Sequence, residues 1–441
     1  MKPTAKLPLF DAPGAPTFEQ VATCVHCGLC LEACPTYREL RVEADSPRGR
    51  IYLMKGILGG NLAPTPAAQT HLDQCLDCRA CETACPSGVQ YGDILERTRA
   101  LLRPTRHADG PAGVAASIAQ TLFVDLPIRH RRLRDVLFLL LWLAQAAGLL
   151  AIGRWLARRR LLPPALRAAL AQLPRVPARS FRAGLRGAGT TIPARGTSRQ
   201  RVAFFTGCVA DHLLAEANAA TVRVLTENDY DVQIVAGETC CGALHLHAGR
   251  REFAQARARE NIARFAYCDV ILTNAAGCGA ELRHYGDLLD GDAGGRAFAA
   301  KVRDVTEWIA AQDWKRPVKP GPRTGRVAYA EPCHLVHAQH ISDPPREILR
   351  GIPGLELVPL ADADTCCGAA GSYAFTQPEL SRRIRDRKLA AIAASGAAIV
   401  ATGNPGCLLH IAAGIRESGS KTTVVHPMVL LAEAYEASFG R

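Results

Sequence analysis

The sequence predicts an α+β multidomain chain: a mainly helical N-terminal domain, a basic linker, and a duplicated α/β module built on parallel sheets. Three observations predict it. Eight of the seventeen cysteines fall in two runs of identical spacing near the N-terminus. From about residue 199 onward, short β-branched runs alternate with alanine-rich amphipathic stretches, the pattern of a parallel sheet with helices on both faces. That same half repeats itself at offsets of 125 to 129 residues, so two similar modules follow one another. At 441 residues and 48% hydrophobic content, the chain has room for two or three domains, each with its own core.

The first domain, residues 17–105, carries Cys24, Cys27, Cys30 and Cys34 before Pro35, then Cys75, Cys78, Cys81 and Cys85 before Pro86. Each run reads C-x2-C-x2-C-x3-C-P, the bacterial spacing for a [4Fe–4S] cluster whose fourth cysteine ligates the other cluster. Three thiolates spaced this closely let one tight loop wrap three corners of a cube, and the proline turns the chain away. Cluster one is therefore assigned Cys24, Cys27, Cys30 and Cys85, and cluster two Cys75, Cys78, Cys81 and Cys34. The domain is expected to be a ferredoxin-like, two-cluster electron carrier. A zinc site needs only two C-x2-C pairs and does not account for four cysteines per run, twice over. Disulfides fit poorly with an odd cysteine total and tight clustering. The N-terminus lacks the apolar core and cleavage site of a secretory signal, so a reducing, cytoplasmic compartment is expected.

The linker, residues 106–198, concentrates charge. Residues 101–200 hold seventeen arginines, no lysine and three acids, a net +14 against +12 for the whole chain. No nucleic-acid motif accompanies this charge, so a nucleic-acid partner is not expected. The eighteen uncharged residues Val136–Gly153 sit between Arg131, Arg132 and Arg134 on one side and Arg154, Arg158, Arg159 and Arg160 on the other. That length is at the lower edge of a membrane span, and the symmetric flanks give no positive-inside bias. A buried core or partner-docking helix and a membrane-surface helix are the leading readings, with a true span the less favoured third. The surface reading places the protein peripherally at the inner face of the plasma membrane, with an anionic surface or a quinone acceptor beside it.

The modules span residues 199–322 and 323–441. RVAFFTGC ending at Cys208 matches RVAYAEPC ending at Cys333, TCCG recurs at Cys240–Cys241 and Cys366–Cys367, and DVILTNAAGC ending at Cys278 matches AIVATGNPGC ending at Cys407. Strands are expected at Val202–Phe205, Val232–Val235, Val270–Thr273, Val327–Ala330, Leu355–Val358, Ile399–Ala401 and Thr423–Val425, with helices such as His212–Glu227 and Pro378–Ala394 between them. Each key cysteine then lies just past the carboxyl end of a strand, where open α/β sheets hold their ligands. Cys208, Cys240, Cys241 and Cys278 would converge on one crevice, and Cys333, Cys366, Cys367 and Cys407 on another. Glycine after the vicinal pair permits the turn that aims both thiols at one site. A further iron–sulfur cluster, a redox-active thiol pair and buried structural cysteine all remain open. Cys268 lies outside the repeat and is expected in the core. His245, His247, His334, His337 and His340 flank these sites. Imidazole suits iron or zinc, but a solvated or capping role is the expectation for isolated histidines.

The segments CVHCGLCLEACPTY, SPRGRIYLMKG, HLDQCLDCRACETACPSGVQY and CCGAAGSYAFTQPELSRRIRDRK resemble the glycolate oxidase iron–sulfur subunit family. The iron–sulfur proteins of lactate utilisation and of anaerobic glycerol-3-phosphate dehydrogenase look similar in architecture. The resemblance implies FAD-containing partner subunits, oxidation of glycolate to glyoxylate, and electron delivery towards the respiratory chain. Lactate, glycerol-3-phosphate or another 2-hydroxy acid is the alternative substrate. The Cys-Cys-Gly modules also resemble those of heterodisulfide reductase, which implies a thiol–disulfide reductase as a further alternative. In that family a fifth cysteine stands three residues before the last one; here Ala275 and Asn404 occupy those positions. No G-x-G-x-x-G follows a strand, and no Ser/His/Asp elbow or phosphate loop appears. Iron–sulfur groups do not take a hydride from an alcohol, so substrate oxidation is expected on a partner polypeptide, with no catalytic residue in this chain.

Overall fold

The computed structural model describes residues 9–106, 126–162, 166–167, 170, 173–185 and 189–440. In the N-terminal domain, helix starts follow ordinary capping rules. Thr17 and Gln20 form a capping box on Phe18–Ala22, Ser46 caps Pro47–Leu58, and Thr65 caps Pro66–Asp73. Pro35, immediately after the first run, opens the helix Pro35–Leu40, where its missing N–H costs nothing. Helix Tyr91–Arg106 lies along the domain, and Ile94, Leu95 and Leu102 pack there with Ile51, Met54, Ile57 and Leu72.

The second half holds two sheets of matching topology. The first runs β1(Thr191–Ile192), β3(Tyr230–Gln233), β2(Gln200–Phe205), β4(Ile271–Thr273), β5(Val302–Asp304) in spatial order. The second runs β7(Leu355–Val358), β6(Gly325–Tyr329), β8(Ile399–Ala401), β9(Thr423–Val425). All pairings are parallel except β1 with β3, where Thr191 faces Gln233. In each sheet the chain leaves the central strand to one side and returns to the other. The crevice for a ligand therefore opens beyond the carboxyl ends of β2 and β4, and of β6 and β8.

Three details differ from the sequence reading. The edge strand β1 falls inside the stretch assigned to the linker. The stretch His212–Glu227 is not one helix: Cys208–Leu213 ends at Leu214 (φ −125°), and Ala215–Glu227 begins again on a new axis. The short piece aims Cys208 at the crevice while the longer one covers the sheet. Strand β5 was not anticipated because its sequence Val-Arg-Asp offers one apolar residue. Asp304 is nevertheless buried, since its carboxylate caps the next helix at Thr306 N (2.8 Å).

The modules share one core. Val202, Phe204, Val224 and Leu225 of the first meet Val327, Ile348, Met428 and Tyr435 of the second. Tyr435 locks the seam, donating to Lys315 O (2.6 Å) and accepting from Asn228 Nδ2 (2.9 Å).

The linker's apolar segment forms two helices, Arg131–Ala146 and Leu149–Arg158, bent by 77° at Gly148, which takes the left-handed conformation. Among the described residues no single helix is long and apolar enough to cross a membrane, although the bent pair passes by length and composition. One face docks on the first module, where Asp135 pairs with His212 (2.9 Å) and Phe138 stacks on the same ring, while Gln145 exchanges two hydrogen bonds with Val176 of the linker itself. The other face is bare. Val136, Leu139, Leu140, Leu143, Leu149, Ile152 and Trp155 are each about half exposed.

Candidate metal centres

The two cysteine loops of the N-terminal domain share one backbone solution. In the first, His26 and Gly28 have φ of 57° and 88°; in the second, Asp77 and Arg79 have φ of 52° and 61°. Left-handed residues on either side of the second cysteine curl each C-x2-C-x2-C segment so that its thiols face inward. Three of these four residues are not glycine, so each loop stores strain on the order of 1 kcal/mol or more per position that the bound group offsets.

Cys34, Cys75, Cys78 and Cys81 line one small pocket together with Arg50 and Tyr91. The first run thus delivers its fourth cysteine to the three thiols of the second. Cys24 and Cys30 lie together at the edge of the same domain with Cys85 packed nearby, while Cys27 is exposed. Burial pushes the Cys30 thiol up to about 11, so its proton leaves when metal binds rather than before. The four-thiol donor set and the curled loops fit a [4Fe–4S] cluster at each place.

Each module also gathers its cysteines. In the first, Cys208 contacts Cys240 and Cys241 contacts Cys278, both at 3.4 Å between sulfurs. Glu238 makes this possible by accepting from Thr206 N (3.0 Å) and Gly207 N (2.9 Å), tying the Cys208 turn to the Cys240 turn. In the second module Cys367 contacts Cys407 at 3.3 Å, and Cys366 touches both Cys333 and Cys367. Its contacts with Cys366 and Cys407 hold Cys367 well below the usual thiol value. The glycine after each pair is needed. Gly368 sits at φ 89° with Ser381 O 2.6 Å from where a Cβ would lie, and Gly242 sits at φ 103°. Three separate loops converge per module, forming a soft four-sulfur donor set that fits an iron–sulfur group. Cys268 lies apart, buried in the first module's core.

Every buried sulfur site has a buried cation beside it. Arg50, 0% exposed, lies against Cys34 and Cys75 and is held by Asp45 (3.4 Å), Thr36 (2.9 Å) and His71 O (2.6 Å). Arg134, 8% exposed, comes from the linker helix and acts on Cys208. Lys388, 4% exposed, acts on Cys366, Cys367 and Cys407. Thiolates in a low-dielectric interior need such a counter-charge. In the sequence Arg134 is marked only as a flank of the apolar segment, and Arg50 and Lys388 are not singled out. Arg50 stands in SPRGRIYLMKG and Lys388 in the stretch after Cys-Cys-Gly, both inside segments that carry the family resemblance.

The sites adjoin one another. The Cys78 thiol lies beside that of Cys366 in one buried cluster, so the second cluster loop abuts the second module's crevice. Leu76, Cys78 and Ala80 form a continuous apolar cluster with Cys366, Tyr373, Leu380 and Ile384, and Tyr373 donates to Gln74 O (2.9 Å).

The flanking histidines are not the solvated or capping groups expected, His340 excepted, which is exposed and ends its helix. His334 reaches Asp77 O (2.8 Å), and His337 joins Thr83 (3.0 Å) to Asp364 O (3.1 Å). His245 is buried, stacked on Phe253. His247 pairs with both Asp77 and Glu96 at 2.9 Å. Burial alone would depress the His247 imidazole, but the two carboxylates raise it to about 10. Ligand-type atoms of Asp77, Glu96 and His247 lie within 4.8 Å of one another. The imidazolium proton, shared between two carboxylates, supplies the positive charge there. Short-range sequence patterns gave no sign of this network because its members lie on two domains.

Two curled four-cysteine loops in a helical domain, joined to two thiol crevices on parallel sheets, define an iron–sulfur electron-transfer protein with duplicated Cys-Cys-Gly modules. Residues 20–89 match a 4Fe-4S dicluster domain, and residues 202–283 and 327–412 match the cysteine-rich domain named for Cys-Cys-Gly. The chain is 37% identical over 425 residues to the probable glycolate oxidase iron–sulfur subunit of Bacillus subtilis, with 94% of each chain covered. It is 35% identical over 430 residues to the glycolate oxidase iron–sulfur subunit of Escherichia coli, again with 94% of each covered. It is also 26% identical over 421 residues to a subunit of the fumarate reductase (CoM/CoB) of Methanothermobacter marburgensis, covering 93% of this chain and 72% of that one. The chain belongs to the glycolate oxidase iron–sulfur subunit family.

Two outcomes are expected here. Cys34→Ala should lower the iron content by about four atoms per chain and remove the signal of the cluster held by the second run. Retention of both cluster signals in electron paramagnetic resonance would refute the crossed ligand set. His247→Gln removes the cation that Asp77 and Glu96 share, leaving Arg79 as the nearest counter-charge to Glu96, and should cost about 3 kcal/mol of stability by denaturant titration. Because the His247 imidazole is raised to about 10, its contribution is complete below about pH 6.5 and lost as pH rises through 10. Wild type should therefore lose more stability than the variant across that range.

Proposed function

We propose that this chain is the iron–sulfur electron-transfer subunit of a glycolate-oxidising complex, receiving electrons from a partner FAD subunit that converts glycolate to glyoxylate. The observation that carries this reading is the packing of Cys78 beside Cys366, which places the second cluster loop next to the second module's sulfur site. Iron–sulfur groups bound at those sites supply one-electron storage and transfer. The chain's own residues set the conditions. Exposed Cys27 leaves the first loop approachable from outside, whereas Cys34, Cys78 and Cys81 keep the second loop dry. Arg50, Arg134 and Lys388 place positive charge where electrons would arrive, and hydrogen bonds such as Tyr91 Oη to Cys75 Sγ (3.6 Å) act on the ligating sulfurs. A further iron–sulfur group in each module belongs to the same reading, held by Cys208, Cys240, Cys241 and Cys278 and by Cys333, Cys366, Cys367 and Cys407.

The complex is proposed to sit at the inner face of the plasma membrane and pass electrons towards a quinone. The bare apolar face of Arg131–Ala146 and Leu149–Arg158, bordered by arginine, supports an in-plane position on an anionic surface. A single copy of the segment is too bent to run straight through a bilayer.

Anoxic purification from the native cell, with iron and flavin counted per copy of this chain, tests the function. The expected result is about sixteen irons, FAD from co-purifying subunits, and bleaching of the iron–sulfur absorbance by glycolate; about eight irons would mean empty modules. Bleaching by lactate or glycerol-3-phosphate but not by glycolate would overturn the substrate. In a separate test, the complex should float with phosphatidylglycerol-containing liposomes, and replacement of Leu140, Ile152 and Trp155 by aspartate should leave it in the soluble fraction. Equal flotation of the two forms would refute the surface assignment.

A further inference from the structure

The two modules repeat each other in sequence and topology, but one polar side chain beside the last cysteine of the second module has no polar counterpart at the matching position of the first. Asn404 occupies the position three before Cys407, and the matching position before Cys278 is Ala275. Asn404 is the N-cap residue of helix Pro405–Ser418, yet its side chain does not cap that helix. Its Oδ1 accepts from Gly277 N (3.1 Å), in the first turn of helix Ala276–Arg283, which carries Cys278 of the other module. Its Nδ2 donates to Cys407 Sγ (3.5 Å). One amide therefore touches the turns that present the last cysteine of both crevices. The backbones reinforce the link, since Ala276 N donates to Gly403 O (3.0 Å). The fit is close: a Cβ on Gly277 would lie 3.3 Å from Asn404 Oδ1, and one on Gly406 would lie 3.5 Å from Nδ2. Ala275 is buried and offers Cys278 no such donor.

We propose that Asn404 is a positioning residue that makes the two modules electrochemically unequal. By donating to Cys407 Sγ it stabilises the more negative, reduced form of the metal group at Cys333, Cys366, Cys367 and Cys407. By accepting from Gly277 N it fixes that crevice relative to its twin. A hydrogen bond to a ligating sulfur draws off charge and favours the reduced state. The second module, which also abuts Cys78, is then the more readily reduced of the pair. No bond to carbon or oxygen forms or breaks: one electron, supplied by the donor that reduces the N-terminal clusters, enters the group at the second module, and the amide proton stays on Asn404.

The inference rests on the reading that the second module holds an iron–sulfur group, and its test separates the two. Wild type, Asn404→Asp and Asn404→Ala are purified anoxically as the native complex and titrated with dithionite, each centre being followed by electron paramagnetic resonance. Asn404→Asp keeps the acceptor for Gly277 but loses the donor to Cys407. The expected result is a lower midpoint potential for the second-module centre in both variants, with the two N-terminal clusters unmoved and the iron count unchanged. If Asn404→Ala fails to fold, Asn404→Asp carries the comparison alone. A second-module potential equal to wild type in Asn404→Asp overturns the proposal, as does a wild-type complex with no metal beyond the N-terminal clusters. Dithionite reduces the centres whatever the physiological substrate, so a complex that ignores glycolate would sink the functional reading while leaving the potentials measurable.

Discussion

The five residues from Cys75 to Arg79 are the hinge on which the molecule's arrangement depends. Cys75 and Cys78 line the second cluster cavity, and the Cys78 thiol reaches Cys366 in the second module. Between them Asp77 pairs with His247 of the first module through its carboxylate and with His334 of the second through its carbonyl. Arg79 adds an ion pair to Glu96 at 3.3 Å. One cluster loop thus touches all three domains, and it can do so only while its left-handed residues stay curled. The same curl aims the thiols at the cavity. Domain docking and cluster geometry are therefore a single constraint, and a change that relaxes one relaxes the other.

Charge explains why the linker cannot be an idle connector. Four converging thiolates in a buried crevice are tolerable only beside a cation. The N-terminal domain supplies Arg50 from its own helix, and the second module supplies Lys388 from its own helix. The first module's cation, Arg134, comes from outside the repeat, on the helix that also exposes Leu139, Leu140 and Leu143. Duplication copied the strands and the cysteines but not the counter-charges. Each copy then found its cation in a different element, so the twin crevices now lie in unlike electrostatic surroundings.

What the sequence revealed follows the range of the forces involved. Cysteine spacing is a local signal, and the β-branched runs Leu355–Val358, Ile399–Ala401 and Thr423–Val425 appear as strands over those same residues. The repeat placed the crevice cysteines past their strand ends, where all eight lie. Strand β5 was hidden because Asp304 is buried for its capping bond rather than for hydrophobicity. The helix expected from His212 breaks at Leu214 because the crevice requires a different axis there. The histidines were misjudged for a different reason. His247 and His334 look isolated along the chain, and their partners Asp77 and Glu96 lie more than a hundred residues away. Pairing across domains leaves no periodicity to read.

Loading with metal and assembly of the domains should therefore be coupled events. Burial raises the Cys75 and Cys81 thiols above the ordinary value, and the Cys240 contact together with burial raises Cys208, so without metal these groups remain neutral. Neutral thiols leave Arg50 with the Asp45 carboxylate as its counter-charge and give Arg134 no thiolate at Cys208 to face. Metal binding would release the thiol protons, create negative charge beside Arg50 and Arg134, and offset the strain at Asp77 and Arg79. The curled loop that results is the surface against which His247, His334 and Cys366 dock. Loading the sites would favour the docked arrangement, because the charges that hold the sulfur sites and those that hold the domains converge on the same few residues.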